Sequence, residues 1–116
     1  MKNLPLVLLL VLPACAMPEP KAPPPGLAAS VTKICDVDRL AGIDPDRDVL
    51  DAGAKRTAYL NEHDQNPDGI ELRTLLSVKG ASDQAKMLRE SAKEAGTTRC
   101  ALADVLEKTG IGGLAP

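Results

Sequence analysis

The sequence predicts an all-α fold: a small bundle of four to five helices stapled by one disulfide, carried behind a Pro-rich linker. Three observations predict it. Apolar residues between positions 28 and 110 recur at three- and four-residue steps, the spacing of a helix face. No run of four or more residues alternates in the manner of a half-buried strand. Cys35 and Cys100 fall on the first and last of the periodic segments. The chain has no Phe or Trp and one Tyr, Tyr59, so its core must be built from Leu, Val, Ile and Ala, which bury less area per residue.

The chain opens MKNLPLVLLLVLPACAMPEP: Lys2, an apolar run from Leu6 to Leu12, then Pro13-Ala14-Cys15. A run of that length falls short of the roughly 30 Å of a bilayer core and reads as a secretory signal, residues 1–14. Leu12 at −3, Ala14 at −1 and Cys15 at +1 resemble the lipobox of bacterial lipoproteins, with Pro13 at −2 departing from the commonest pattern. The resemblance covers the leader only. It implies cleavage before Cys15, diacylglycerol on its thiol, and acylation of the new amino terminus, palmitate being the expected chain. An ordinary signal peptide cut nearby, with Cys15 a bystander, is the alternative. Several acyl chains, each buried methylene contributing about 0.8 kcal/mol, anchor a protein stably. Ala16 after the Cys, where inner-membrane retention signals carry Asp, implies the outer membrane.

Residues 15–27 form the expected linker, with Pro18, Pro20, Pro23, Pro24 and Pro25 favouring extended polyproline II, a spacer of roughly 30 Å. A Pro-rich ligand for a partner domain is a weaker reading of the same residues. The helical domain is expected over 28–110. It is near the size at which a core alone gives marginal stability, so an exported chain with two cysteines besides Cys15 is expected to pair Cys35 with Cys100. Closing a loop of about 65 residues contributes about 4 kcal/mol in the chain-entropy model. A redox-active pair lacks the Cys-X-X-Cys spacing. Zinc lacks ligands, since only two distant Cys and His63 are on offer.

The first helix is expected over 28–42, facing inward through Val31, Ile34, Cys35, Val37 and Leu40 and stopped by Gly42. The second is expected to be the longest, entering at Asp44-Pro45-Asp46 and continuing to about Asp64, with Val49, Leu50, Gly53, Ala54, Thr57 and Leu60 on its apolar side. Gly53, Ala54 and Ala58 should admit a neighbouring helix closely. The third spans 70–79 on Leu72, Leu75 and Leu76. The fourth starts from an N-cap at Ser82 and runs on Ala85, Leu88, Ala92 and Ala95 to Gly96. The fifth spans 99–108 on Leu102, Val105 and Leu106, with Cys100 in its first turn. The ending GIGGLAP reads as a flexible tail over 111–116.

His63-Asp64-Gln65-Asn66-Pro67-Asp68-Gly69 begins like the calcium loop of an EF-hand. Asp64, Asn66, Asp68 and Gly69 fit the first half, but Leu72 and Leu75 stand at the ninth and twelfth positions, where oxygens must close the shell. The preferred reading is a capped turn: Asn66-Pro67 ends one helix, Asp68 caps the next, and Glu71 completes a box-like pair. A weak calcium-binding helix-loop-helix is the lesser reading. The acidic run Asp44, Asp46, Asp48 and Asp51 also lacks the Gly and the closing Glu.

No catalytic constellation can be assembled around the lone His63, so no catalytic residue, metal ligand or cofactor is expected and the protein is read as a non-enzyme. His63 and Asp64 are expected to be dispensable. With 14 basic against 16 acidic residues, a net charge of −2 and no basic stripe beside aromatics, nucleic-acid binding is disfavoured. The expectation is a lipid-anchored, non-catalytic binding or assembly module supporting an envelope protein partner at the outer membrane. The alternative is similar to a pilotin, a lipid-anchored helical chaperone of secretin subunits, by size, anchor, helices and disulfide alone.

Overall fold

The structure is a computed structural model and describes residues 25–116. Cys15 and the residues before position 25 that are expected to form the signal and most of the linker lie outside the described part. Six helices and no strand make up the described residues: α1 (Pro25–Cys35), α2 (Val37–Ala41), α3 (Ala52–His63), α4 (Pro67–Ser77), α5 (Ala81–Glu94) and α6 (Ala101–Thr109). The all-α class holds.

The first expected helix is two. It begins at Pro25, a residue suited to the first turn because its missing N–H has no partner there anyway, so the domain takes in the last residues assigned to the linker. It breaks at Asp36, whose N–H is shared between the carbonyls of Thr32 and Lys33 at 3.1 and 3.2 Å, the bifurcated pattern of a helix end. Val31, Ile34, Cys35 and Val37 are buried as expected, and Leu40 is turned outward. Gly42 ends α2 in the left-handed region at φ 68°, where its N–H reaches the Arg39 carbonyl.

Residues 44–51 are turns where a helix start is expected. The Asp44 carboxylate accepts from the N–H groups of Asp46 at 2.9 Å and Arg47 at 3.3 Å, and Asp48 accepts from the Asp44 N–H at 3.1 Å. These bonds close a local turn around Asp44, and the helical ladder does not propagate beyond the bond from the Asp48 N–H to the Asp44 carbonyl at 2.7 Å. α3 therefore starts only at Ala52, and Leu50 is 95% exposed.

α3 buries Ala52, Arg56 and Leu60, one residue per turn. α4 buries Leu72 and Leu76 as expected, but Arg73 replaces Leu75, which is 49% exposed. α5 buries Gln84, Ala85, Leu88 and Ala92, and begins after Gly80 rather than at a Ser82 cap. α6 buries Leu102, Ala103 and Leu106, with Cys100 at its N-cap position. α5 packs along α6 and α1, α1 also touches α4 and α6, and α2 lies against α3. The core runs where these faces meet, through Val31, Ile34, Leu76, Leu88, Leu102 and Leu106. Cys35 and Cys100 are joined there, with Cα atoms 4.6 Å apart, tying the end of α1 to the start of α6.

Residues 111–116 are not a loose tail. Leu114 is 5% exposed and belongs to the core cluster, and its backbone neighbours are bonded to α3 and α5.

Candidate functional site

The described part of the molecule spends its buried polar side chains at two junctions. The first lies where α1, α3 and α4 meet. Asp64, just past α3, is 2% exposed, and its Oδ1 accepts from Ser30 Oγ of α1 at 2.7 Å. Arg73 of α4 donates to the Asp64 carbonyl at 2.7 Å and to Asn61 Oδ1 at 2.8 Å. Arg73 Nε faces Asp64 Oδ2 at 3.4 Å, an ion pair without hydrogen-bond alignment. A glycine permits this approach. Gly69, in the first turn of α4, lies so close that a Cβ there would sit 2.2 Å from Ser30 Oγ and 2.4 Å from Asp64 Oδ2.

This geometry settles what the calcium-like letters do. Asp64 turns inward to Ser30 and Arg73, not toward a loop centre. Asn66, not Asp68, caps α4: its side chain accepts from the Asp68 N–H at 3.1 Å, and Pro67 occupies the first helical position. A Cβ on Gly26 of α1 would strike the Asn66 side chain. His63 is exposed and stacks on Tyr59 with ring centroids 4.2 Å apart. Asp64, expected to be dispensable for function, is in the structure a buried anchor between three helices.

The second junction is a groove bordered by α3, α4 and α5 that holds residues 113–115. Arg56 of α3, 1% exposed, clamps Asp38 of α2 with Nε at 2.6 Å and Nη2 at 2.9 Å from the two carboxylate oxygens. Its remaining nitrogen donates to the Gly113 carbonyl at 3.2 Å. Thr57 Oγ1 accepts from the Ala115 N–H at 2.9 Å and donates to the Ala115 carbonyl at 3.0 Å. Gln84 Oε1 accepts from the Leu114 N–H at 3.0 Å, and its Nε2 lies 3.5 Å from the Leu114 carbonyl. The small face expected to admit a helix admits this segment instead, since the Gly113 carbonyl comes within 3.4 Å of a Cβ placed on Gly53. Beside the segment a cleft of about 160 Å³ is lined by Asn61, Ile70, Thr74 and Ser77.

Two shallow clefts flank the disulfide, about 440 Å³ beside Arg89, Lys93 and Cys100 and about 330 Å³ beside Thr32, Cys35 and Arg99. Arg89 is committed to Glu107 at 2.7 Å and Asp104 at 2.8 Å. Those bonds raise the Arg89 pKa and hold the Glu107 carboxyl below its ordinary range.

Comparison with protein-family models, curated proteins and solved structures finds no match. The functional reading therefore rests on this chain's own residues. The structure brings Cys35 and Cys100 together and sets His63 apart from Asp64. Sequence reasoning missed Ser30, Arg56, Arg73 and Gln84, and placed Thr57 on the inward side of its helix without a bonding role. A signal existed for two of them: Arg56 stands midway between Ala52 and Leu60 at four-residue steps, and Gln84 stands four before Leu88, both polar residues in apolar registers. Chemically, both junctions hold backbone and helices in place. Ser30 donates its hydroxyl proton to the buried Asp64 carboxylate.

Proposed function

We propose that the protein is a lipid-anchored envelope lipoprotein whose helical domain is a non-catalytic binding and assembly module, supporting a protein partner at the outer membrane. The observation that carries this reading is the sequence Leu12-Pro13-Ala14-Cys15 behind a short apolar run, followed by a Pro-rich spacer. The disulfide between Cys35 and Cys100 supports it, because such bridges persist in oxidising compartments outside the cytosol. The chaperone reading stays second. It asks for a groove of helix width, whereas the one here is filled by residues 113–115.

Fatty-acid labelling of cells tests the anchor. Labelled protein is expected in the membrane fraction for the natural chain and lost for Cys15→Ala; unchanged labelling overturns the anchor and the tether built on it. Crosslinking in intact cells is expected to recover one specific envelope protein, and Cys15→Ala to mislocalise it.

A further inference from the structure

Three of the large apolar side chains left exposed among the described residues, Ile70, Leu75 and Val78, belong to α4 and its C-cap. Ile70, Thr74 and Val78 recur at four-residue steps and Leu75 lies beside them, on the side of α4 away from the buried Leu72, Arg73 and Leu76. Ile70 and Leu75 are about half exposed, and Val78 is 78% exposed. Single exposed apolar residues are ordinary, whereas a cluster on one helix face marks a contact surface.

The polar groups of this face suit an apolar neighbour. Thr74 Oγ1 donates to the Ile70 carbonyl at 2.8 Å and Ser77 Oγ to the Thr74 carbonyl at 2.9 Å, so both hydroxyl protons are satisfied within the helix. Charge on the strip is confined to Glu71 within it and Lys79 at its end. The Lys79 stem can lie along an apolar layer with its ammonium among polar headgroups, and the Glu71 carboxylate keeps the contact at headgroup depth.

What the face meets follows from where the chain enters the domain. α1 begins at Pro25, and a Cβ on Gly26 would strike the side chain of Asn66, the residue that caps α4. The chain therefore arrives beside the start of α4. Only residues 16–24 separate Pro25 from Cys15, a reach of roughly 30 Å even fully extended. That is about the width of a domain of this size, whose radius of gyration is about 13 Å. A face tethered so closely to a bilayer meets it at high effective concentration, so contacts too weak to bind a free protein suffice. Leu50, although 95% exposed, lacks this placement: it sits among Asp48 and Asp51 in the turn before α3, and the length of α3 separates that turn from α4.

We infer that the exposed face of α4, Ile70, Leu75 and Val78 with Lys79 at its end, rests on the phospholipid surface to which Cys15 is anchored. The domain then lies on the bilayer with α4 against it rather than standing off on its tether. The contact is peripheral, since no helix of the described residues is long and apolar enough to cross a membrane. The inference rests on the lipid-anchor reading and adds the orientation of the domain.

The test uses the full lipidated chain in phospholipid vesicles, and the absence of Trp from the sequence lets one introduced Trp report alone. Val78→Trp is expected to emit at shorter wavelength and to be quenched by brominated acyl chains, whereas Leu50→Trp is expected to stay water-exposed and unquenched. Thr74→Trp, in the middle of the strip, serves as reporter if Val78→Trp folds poorly. Adding Ile70→Glu and Leu75→Glu to the reporter chain should abolish the quenching while helical circular dichroism and flotation with the vesicles persist. Quenching of neither the α4 reporter nor Leu50→Trp, or of both alike, in chains that float overturns the docking and leaves the anchor standing. A blue-shifted α4 reporter that brominated lipid does not quench assigns the face to a second copy and equally overturns it. Chains that do not float remove the anchor, and the docking with it.

Discussion

Arg73→Met removes one partner of the most deeply buried ion pair in the described domain and leaves the other in place. Asp64 and Arg73 are both more than nine-tenths buried, and Arg73 makes two further bonds, to the Asp64 carbonyl and to Asn61. Breaking such a pair from one side strands a desolvated charge and costs about 3–5 kcal/mol. A domain of this size has about 5–10 kcal/mol in all. The melting temperature should therefore fall by roughly 12–40 °C, each kcal/mol being worth roughly 4–8 °C at this length. With no Trp and one Tyr in the chain, urea unfolding is best followed by helical circular dichroism. Arg99→Met, at an exposed position, is the control and should change stability by less than about 0.5 kcal/mol. Adding Asp64→Asn to Arg73→Met neutralises the stranded charge while keeping an acceptor for Ser30, so the double variant should recover about 1–3 kcal/mol over additivity. Millimolar calcium should rescue neither. A loss under about 1 kcal/mol for Arg73→Met, or strict additivity in the cycle, would refute the reasoning, because the pair would then be solvated.

Gly69→Ala should destabilise by about 1–3 kcal/mol, since its Cβ would drive Ser30 and Asp64 apart; thermal melts compared with Gly80→Ala, which meets nothing within 4 Å, isolate the effect. Reducing the Cys35–Cys100 bridge, or replacing both cysteines by serine, should cost about 4 kcal/mol because the loop closed spans 65 positions, and urea midpoints with and without reductant measure it. Acid should weaken the turn before α3. Arg47 first, then the Asp44 N–H, hold the Asp48 carboxyl well below its ordinary value of about 3.9. A depressed folded pKa means that this contribution is fully present above the ordinary value and is lost as pH falls through the folded one. Stability followed from pH 5 to pH 2 should therefore decline less steeply in Asp48→Asn than in the natural chain.

Local pattern by itself determined much of this fold. Helical spacing placed Val31, Ile34, Leu60, Leu72, Leu88 and Leu102 inward, Gly42 and Gly110 end helices in the left-handed conformation only glycine adopts easily, and a two-cysteine remainder left one pairing to make. Each of these follows from interactions within a few residues, or from a count. Tertiary structure alone decided the rest. Asp64 and Arg73 read as surface letters until Ser30, 34 positions away, meets the same carboxylate. GIGGLAP reads as a tail until Thr57 and Arg56, 58 and 57 positions away, bond its backbone and Leu114 enters the core. Periodicity reports which face of an element is apolar, but the partner of a buried polar group is set by where distant elements are brought together, and no window along the chain contains that distance.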